Sequence, residues 1–96
     1  MATDSISVRH EPDRHRYVVD LDGEEAGFVA YQVRGDGVVV LTHTEVDDSS
    51  EGRGVGSTLV AGALEDLRAA GKVIVPQCPF VKKYIERHQE YAALVH

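Results

Sequence analysis

Cys78 is the single cysteine of this chain, and its neighbours give it a chemical setting. It follows the apolar run Val73-Ile74-Val75 and directly precedes Pro79, a residue suited to the first position of a helix. A thiol at a helix N-terminus meets unpaired amide N–H groups and the positive end of the helix dipole, which favour the thiolate, the nucleophilic form. A small buried apolar residue is the alternative reading of the same cysteine. His43 and Glu45 stand two apart in a strand-like run, so they share one face, and either can accept a proton from an amine directly or through water. His43 is the better base near neutral pH, although a lone strand histidine also serves as packing. His10, His15, His88 and His96 lie in turn-like or terminal contexts that assign them no role.

A second chemical feature is the run Glu51-Gly52-Arg53-Gly54-Val55-Gly56-Ser57-Thr58, placed where a strand ends and a helix begins. Glycines admit close backbone approach, and the free N–H groups of a first helical turn suit phosphate oxygens. A flexible turn followed by a Ser/Thr helix start accounts for the same letters. Two phosphate motifs are excluded by missing parts. A Walker A loop requires Lys before its Ser/Thr, but Gly56 precedes Ser57. A dinucleotide fingerprint requires G-x-G-x-x-G with an acidic residue on the next strand, whereas the glycines here fall at 52, 54 and 56 and that strand ends Val75-Pro76-Gln77.

The elements that must hold these groups follow from period and punctuation. The first half reads as strands over 6–9, 16–21, 26–33 and 38–46, joined by the polar, proline-containing turn His10–His15 and by two short glycine-containing turns, Asp22-Gly23 and Arg34–Gly37, of hairpin type that imply antiparallel pairing. In the second half Val55, Leu59, Val60, Ala63, Leu64 and Leu67 recur on one helical face, predicting a helix over roughly 55–70 that ends at Gly71 with Arg68 in its last turn. A short strand over 73–76 completes a β-α-β unit with parallel pairing, and a last short helix starts at Pro79 and reaches about residue 87.

With 43% hydrophobic and 27% charged residues, the chain is too apolar for a disordered tail, and its 96 residues suffice for one core but not two. Ten Lys and Arg against sixteen Asp and Glu leave a net charge of −6, which argues against nucleic acid as a partner. The start lacks a basic stretch followed by an apolar segment, and no apolar run nears the ~20 residues a membrane span needs, so a cytoplasmic protein without a membrane partner is expected. One cysteine permits no internal disulfide, and no Cys/His spacing of a zinc site is present.

The glycine run approaches the phosphate-loop pattern (Q/R)-x-x-G-x-(G/A) as Glu51-x-x-Gly54-x-Gly56, departing from it at Glu51. Read outward, His43-Thr44-Glu45-Val46, Gly52-Arg53-Gly54-Val55-Gly56, Val75 to Val81, Tyr84-Ile85 and His88 to Tyr91 resemble the small single-domain GNAT-like acetyltransferases, which commonly carry Pro where this chain has Gln89. The resemblance implies a minimal GNAT-like α/β (α+β) fold over 1–96: a mixed, mostly antiparallel sheet, a central β-α-β unit and a short C-terminal helix. It implies acetyl-CoA, with its pyrophosphate on the amides of roughly residues 53–58 (Arg53, Gly54, Val55, Gly56, Ser57 and Thr58) and its pantetheine arm between the strand ending near Val46 and strand 73–76. Arg53 would add charge to the pyrophosphate, or be a solvated loop arginine. Cys78 matches the proposed catalytic cysteine of that group and would meet the thioester and take the acetyl group. Tyr84 corresponds to the tyrosine that protonates the departing CoA thiolate in many GNAT enzymes, with core packing as its alternative. Only the turn from His10 to His15 stands where larger relatives have two helices, which favours an open groove and a peptide or protein acceptor, through an amine or thiol. A non-catalytic CoA-binding or acyl-CoA-binding module is the alternative function.

Overall fold

A computed structural model describes residues 5–47 and 54–96. In chain order the elements are β1 (Ile6–Glu11), a 3-10 turn (Pro12–Arg14), β2 (Arg16–Leu21), β3 (Glu24–Val33), β4 (Val39–Val46), α1 (Val55–Ala69), β5 (Ile74–Pro76), α2 (Pro79–Arg87) and a second 3-10 turn (Gln89–Leu94). The strands form one sheet in the order β1-β2-β3-β4-β5, antiparallel up to β4 and parallel between β4 and β5. This is the mixed, mostly antiparallel α+β arrangement expected from the sequence. Asp22-Gly23 makes the two-residue β2–β3 hairpin, and Ser5 N–H donates to Asp22 Oδ1 at 2.9 Å, tying the start of β1 to that turn.

Helix α1 buries the stripe its period predicts: Val55, Leu59, Val60, Ala63, Leu64 and Leu67. They pack with Tyr17, Val19, Val29, Tyr31, Val39 and Leu41 on one sheet face. Gly71 closes the helix in the left-handed region (φ 71°), with its N–H on the Arg68 carbonyl at 3.0 Å and Lys72 N–H on that of Leu67 at 2.9 Å. This double bond pattern satisfies carbonyls the helix end leaves free, and the left-handed step is one glycine takes without a Cβ clash. Helix α2 adds Val81 and Ile85 to the core.

The final 3-10 turn is not among the elements expected from the sequence. Tyr91 and Leu94 bury their side chains, Tyr91 O–H donates to Glu65 Oε2 on α1 at 2.7 Å, and Val95 bridges Ile74 in parallel. The chain end thereby covers the outer edge of β5. Two of the histidines without an assigned role, His10 and His15, acquire partners in the fold. His10 stacks on Tyr17 with ring centroids 4.2 Å apart and its Nε2 lies 2.6 Å from the Tyr31 hydroxyl, while Tyr17 O–H donates to Asp66 Oδ2 at 2.5 Å. His15 stacks on Tyr31. This cluster ties the β1–β2 hairpin to α1.

A bulge in β4 decides which side chains share a face. Leu41 pairs with Tyr31 but His43 pairs with Ala30, so Thr42 is the extra residue. Before it, Val39 and Leu41 point into the core. After it, Thr44, opposite buried Val29, takes the core face, and His43 and Glu45, opposite Ala30 and Phe28, take the other. On that outer face Arg9 and Arg16 bridge Glu11, Asp20 and Glu25, the Arg16 guanidinium lies 5.3 Å from the Phe28 ring centre, and Val18 is fully buried beneath.

Two outcomes test this packing. Leu64→Ala should cost ~2–5 kcal/mol by denaturant unfolding, because Leu64 is fully buried and its removal leaves a cavity. Tyr91 is pushed up to about 12 from an ordinary value of 10.0 by its bond to Glu65 and then by burial. Burial and the Asp66 bond push Tyr17 up as well. The folded state therefore holds these protons more tightly than the unfolded chain, and the associated stability is complete below the unfolded pKa and lost as pH rises through the folded one. Unfolding free energy should fall between pH 10 and about 12, and Tyr91→Phe should flatten that fall.

Candidate active site

Strand β4 outruns β5. Their pairing ends at Leu41 with Pro76, yet β4 continues to Val46. After Pro76 the chain turns, with Gln77 N–H on the Val75 carbonyl at 3.0 Å, and the last rung is Cys78 N–H to the Leu41 carbonyl at 2.9 Å. Beyond that rung a wedge opens between β4 and the first turn of α2. Asp47 N–H bonds the Ala26 carbonyl at 2.8 Å, so by the alternation of antiparallel bonding residues 43, 45 and 47 bond β3. Thr44 and Val46 accordingly turn their N–H and C=O groups into the wedge.

Cys78 stands at the head of the wedge. It is the N-cap of α2 in an extended conformation, its carbonyl accepts Lys82 N–H at 3.0 Å, and Pro79 supplies the first helical residue. Its side chain is 5% exposed, and Sγ lies 3.2 Å from Thr44 Oγ1. Thr44 is thus a site residue that the sequence patterns did not single out; only strand alternation, which sets it opposite His43 and Glu45, marked it.

Helix α1 also opens toward this end of the sheet. Its N-cap, Gly54, is left-handed (φ 74°, ψ 12°), no side chain among the described residues caps the helix, and its first turn holds no acidic residue. Thr58 N–H bonds the Gly54 carbonyl, which leaves the earlier amides of Val55, Gly56 and Ser57 without partners inside the helix. Ser57 and Thr58 are exposed. An uncapped helix start without a carboxylate fits an external anion. The missing side chain of Gly56 is occupied: a Cβ there would stand 2.7 Å from Cζ of Phe80 in the first turn of α2. Arg53, together with Glu51 and Gly52, lies outside the described residues.

The other sequence candidates fall elsewhere. His43 Nε2 is 2.9 Å from Glu45 Oε2, as their shared face predicts, but both are exposed on the sheet face opposite Thr44, beside Phe28. Tyr84 is half-buried and stacks on His88 with centroids 4.0 Å apart, while the His88 ring Nδ1 lies 2.9 Å from the Tyr84 carbonyl oxygen. Burial, followed by the charges of Glu90 and Glu65, pushes its phenol up, so Tyr84 holds its proton across the neutral range. The structure therefore brings together Cys78, Thr44, Val46 and the first turns of α1 and α2, and sets the His43–Glu45 pair apart.

Known proteins match this arrangement. The family profile described as GCN5-related N-acetyl-transferase matches residues 16–94. Protein NATD1 of Gallus gallus is 33% identical over 89 residues, covering 86% of this chain and 76% of that protein. Protein NATD1 of Homo sapiens is 33% identical over the same length, covering 86% and 74%. The solution structure of a GCN5-like protein from Staphylococcus aureus superimposes with a TM-score of 0.71 at 21% identity, covering 94% of this chain and 87% of that one, which is a likeness of fold. No described helix is long and apolar enough to cross a membrane.

The left-handed N-cap supports one prediction. No atom of the described residues lies within 4 Å of a Cβ built at Gly54, so Gly54→Ala should fold and lose only the backbone term, ~1–2 kcal/mol. Thermal unfolding should show a drop of several degrees, and Gly54→Asn a smaller one, because Asn enters the left-handed region more readily.

Proposed function

This chain belongs to the GCN5-related N-acetyl-transferase family, and on that premise we propose that residues 1–96 act as one cytoplasmic acetyltransferase domain that carries an acetyl group from acetyl-CoA to an amine or thiol acceptor. The observation that carries the reading is the wedge between β4 and β5, with Cys78 Sγ held 3.2 Å from Thr44 Oγ1 at its head and two helix N-termini beside it. The amides of Val55, Gly56 and Ser57, above the left-handed step at Gly54, would take the pyrophosphate, with the Thr58 hydroxyl beside them, since its own amide is bonded to the Gly54 carbonyl, and with Arg53 adding its charge. Thr44 and Val46 offer main-chain donors and acceptors to an amide-bearing arm, as an added strand would.

Bound acetyl-CoA would supply an activated thioester. Cys78 Sγ would bond to the acetyl carbon as the bond to the CoA sulfur breaks, and the proton leaving Cys78 balances the departing thiolate. Tyr84, holding its proton, is the proposed donor to that thiolate, which is then reprotonated from solvent. The acceptor next takes the acetyl group, Cys78 leaves as the sulfur and regains a proton from the acceptor. On the direct route, an amine that approaches from the outer face of β4, the face opposite Thr44, would instead give its proton to His43 or Glu45. The 3-10 turn Pro12–Arg14 between β1 and β2 leaves the sheet's outer face open, which supports a peptide or protein acceptor. A net charge of −6 supports a protein that engages neither nucleic acid nor membrane.

CoA binding without transfer is the second reading, and the 5% exposure of Cys78 is the observation that favours it.

Two experiments test these readings, the first their shared phosphate site and the second the transfer. Ser57→Asp places a carboxylate where the helix dipole favours it, so the fold should be kept or strengthened, while repulsion of roughly 3 kcal/mol at ~5 Å and an effective dielectric of ~20 should lower CoA affinity at least tenfold. Unchanged affinity by calorimetry would remove the phosphate role of α1. Intact-mass spectrometry after incubation with acetyl-CoA should show one acetyl adduct, released by a thioester-cleaving amine and absent from Cys78→Ala. A Cys78→Ala protein that binds CoA and turns over fully would leave the direct route, and a wild type that binds CoA with neither adduct nor turnover would establish the binding module.

A further inference from the structure

Among the described residues, Phe80 is the one aromatic of the large hydrophobic side chains that stand exposed, at 44%. It lies two residues after Cys78 in the first turn of α2, and its ring reaches across to the first turn of α1, against Gly56. Alanine at position 56 would favour the helix, so the glycine keeps a less favourable helical residue in exchange for room. That room is filled by the ring: Cζ, Cε2 and Cε1 of Phe80 lie 2.7, 3.4 and 3.5 Å from the Cβ position of residue 56. The ring thus spans the gap between the helix start that offers amides to an anion and the helix start that carries the thiol, with part of its apolar surface still in water.

We infer that Phe80 is the wall on which the aliphatic pantetheine arm of the acyl donor packs, and that Gly56 is glycine to seat its ring. This rests on the acetyl-CoA reading above, because a molecule with its phosphates on the first turn of α1 and its thioester at Cys78 must pass along this ring. The exposed part of the ring is then covered on binding, and the contact discriminates for the arm and not for the nucleotide. The lack of a Cβ at Gly56 accordingly acts through Phe80, and that at Gly54 through its own left-handed backbone.

The test is calorimetric titration with two probes, CoA and adenosine 3′-phosphate 5′-diphosphate, the nucleotide portion of CoA without its arm. Phe80→Ala should weaken CoA about tenfold, because the arm no longer has an apolar wall to cover, and leave the nucleotide unchanged within about twofold, whereas Phe80→Leu should retain most of the affinity. Gly56→Ala, which displaces the ring, should likewise weaken CoA, and the double variant should be no weaker than the weaker single one. Circular dichroism of each variant reports the fold independently. CoA affinity unaltered in Phe80→Ala would overturn the inference and leave the acetyl-CoA reading standing. Equal losses for both probes would overturn it too, because the ring would then belong to the nucleotide site. Wild-type protein that binds neither probe would overturn the acetyl-CoA reading and this inference with it.

Discussion

The site depends on one hydrogen bond being the last of its row. Cys78 N–H to the Leu41 carbonyl, at 2.9 Å, closes the parallel ladder between β4 and β5. Past it, β4 has a sheet edge on one side only, and an edge in the interior of a fold is a row of unpaired donors and acceptors. Had β5 continued alongside β4, the wedge would be an ordinary strand pair and Cys78 one more core residue. Proline contributes to the stop. Pro76, the last residue of β5, lacks an N–H, and Pro79 sets the first turn of α2, so the chain leaves the sheet within three residues.

The bulge at Thr42 has a comparable consequence for the side chains. Without it, the register that places Leu41 in the core would also place His43 and Glu45 there, and Thr44 outside. One extra residue reverses this: a hydroxyl small enough for a packed interior meets the Cys78 sulfur, and an imidazole and a carboxylate that would be costly to bury face water instead. Both sides of β4 thereby carry polar chemistry while the core stays apolar.

What the sequence discloses and what it withholds divide along the range of the interactions. The β2–β3 hairpin at Asp22-Gly23, the helical stripe from Val55 to Leu67, the cap at Gly71 and the helix start at Pro79 are set by neighbours in the chain, and all are legible there. The bulge, the Thr44–Cys78 contact and the fit of Phe80 into Gly56 join segments distant in sequence, and nothing local announces them. The same holds for the last six-residue turn, fixed by Tyr91 on Glu65 and by Val95 beside Ile74. His10 and His15 read as polar turn residues because their partners, Tyr17, Tyr31 and Asp66, arrive only with the fold. The glycine run shows the limit most directly. Gly54 and Gly56 look equivalent as letters, but one is required by a positive φ and the other by a ring from another helix.

An acidic chain that holds a polyphosphate must obtain local positive potential from a source other than net charge. Side-chain cations on this protein are outnumbered, ten against sixteen, and Arg9, Arg16, Arg34 and Arg68 are engaged with carboxylates. The main chain supplies the alternative. Antiparallel strands alternate their dipoles to nearly nothing, whereas a helix sums its own, so a fold that brings helix starts together concentrates positive potential without a basic residue. Here α1 follows β4 and α2 follows β5, two neighbouring strands that run in the same direction, and each helix therefore begins beyond the same end of the sheet. Among the described residues no side chain caps either start, and neither first turn carries an acid. The β-α-β-α order thus explains at once why the amides, the thiol and the unpaired edge of β4 occur in one place.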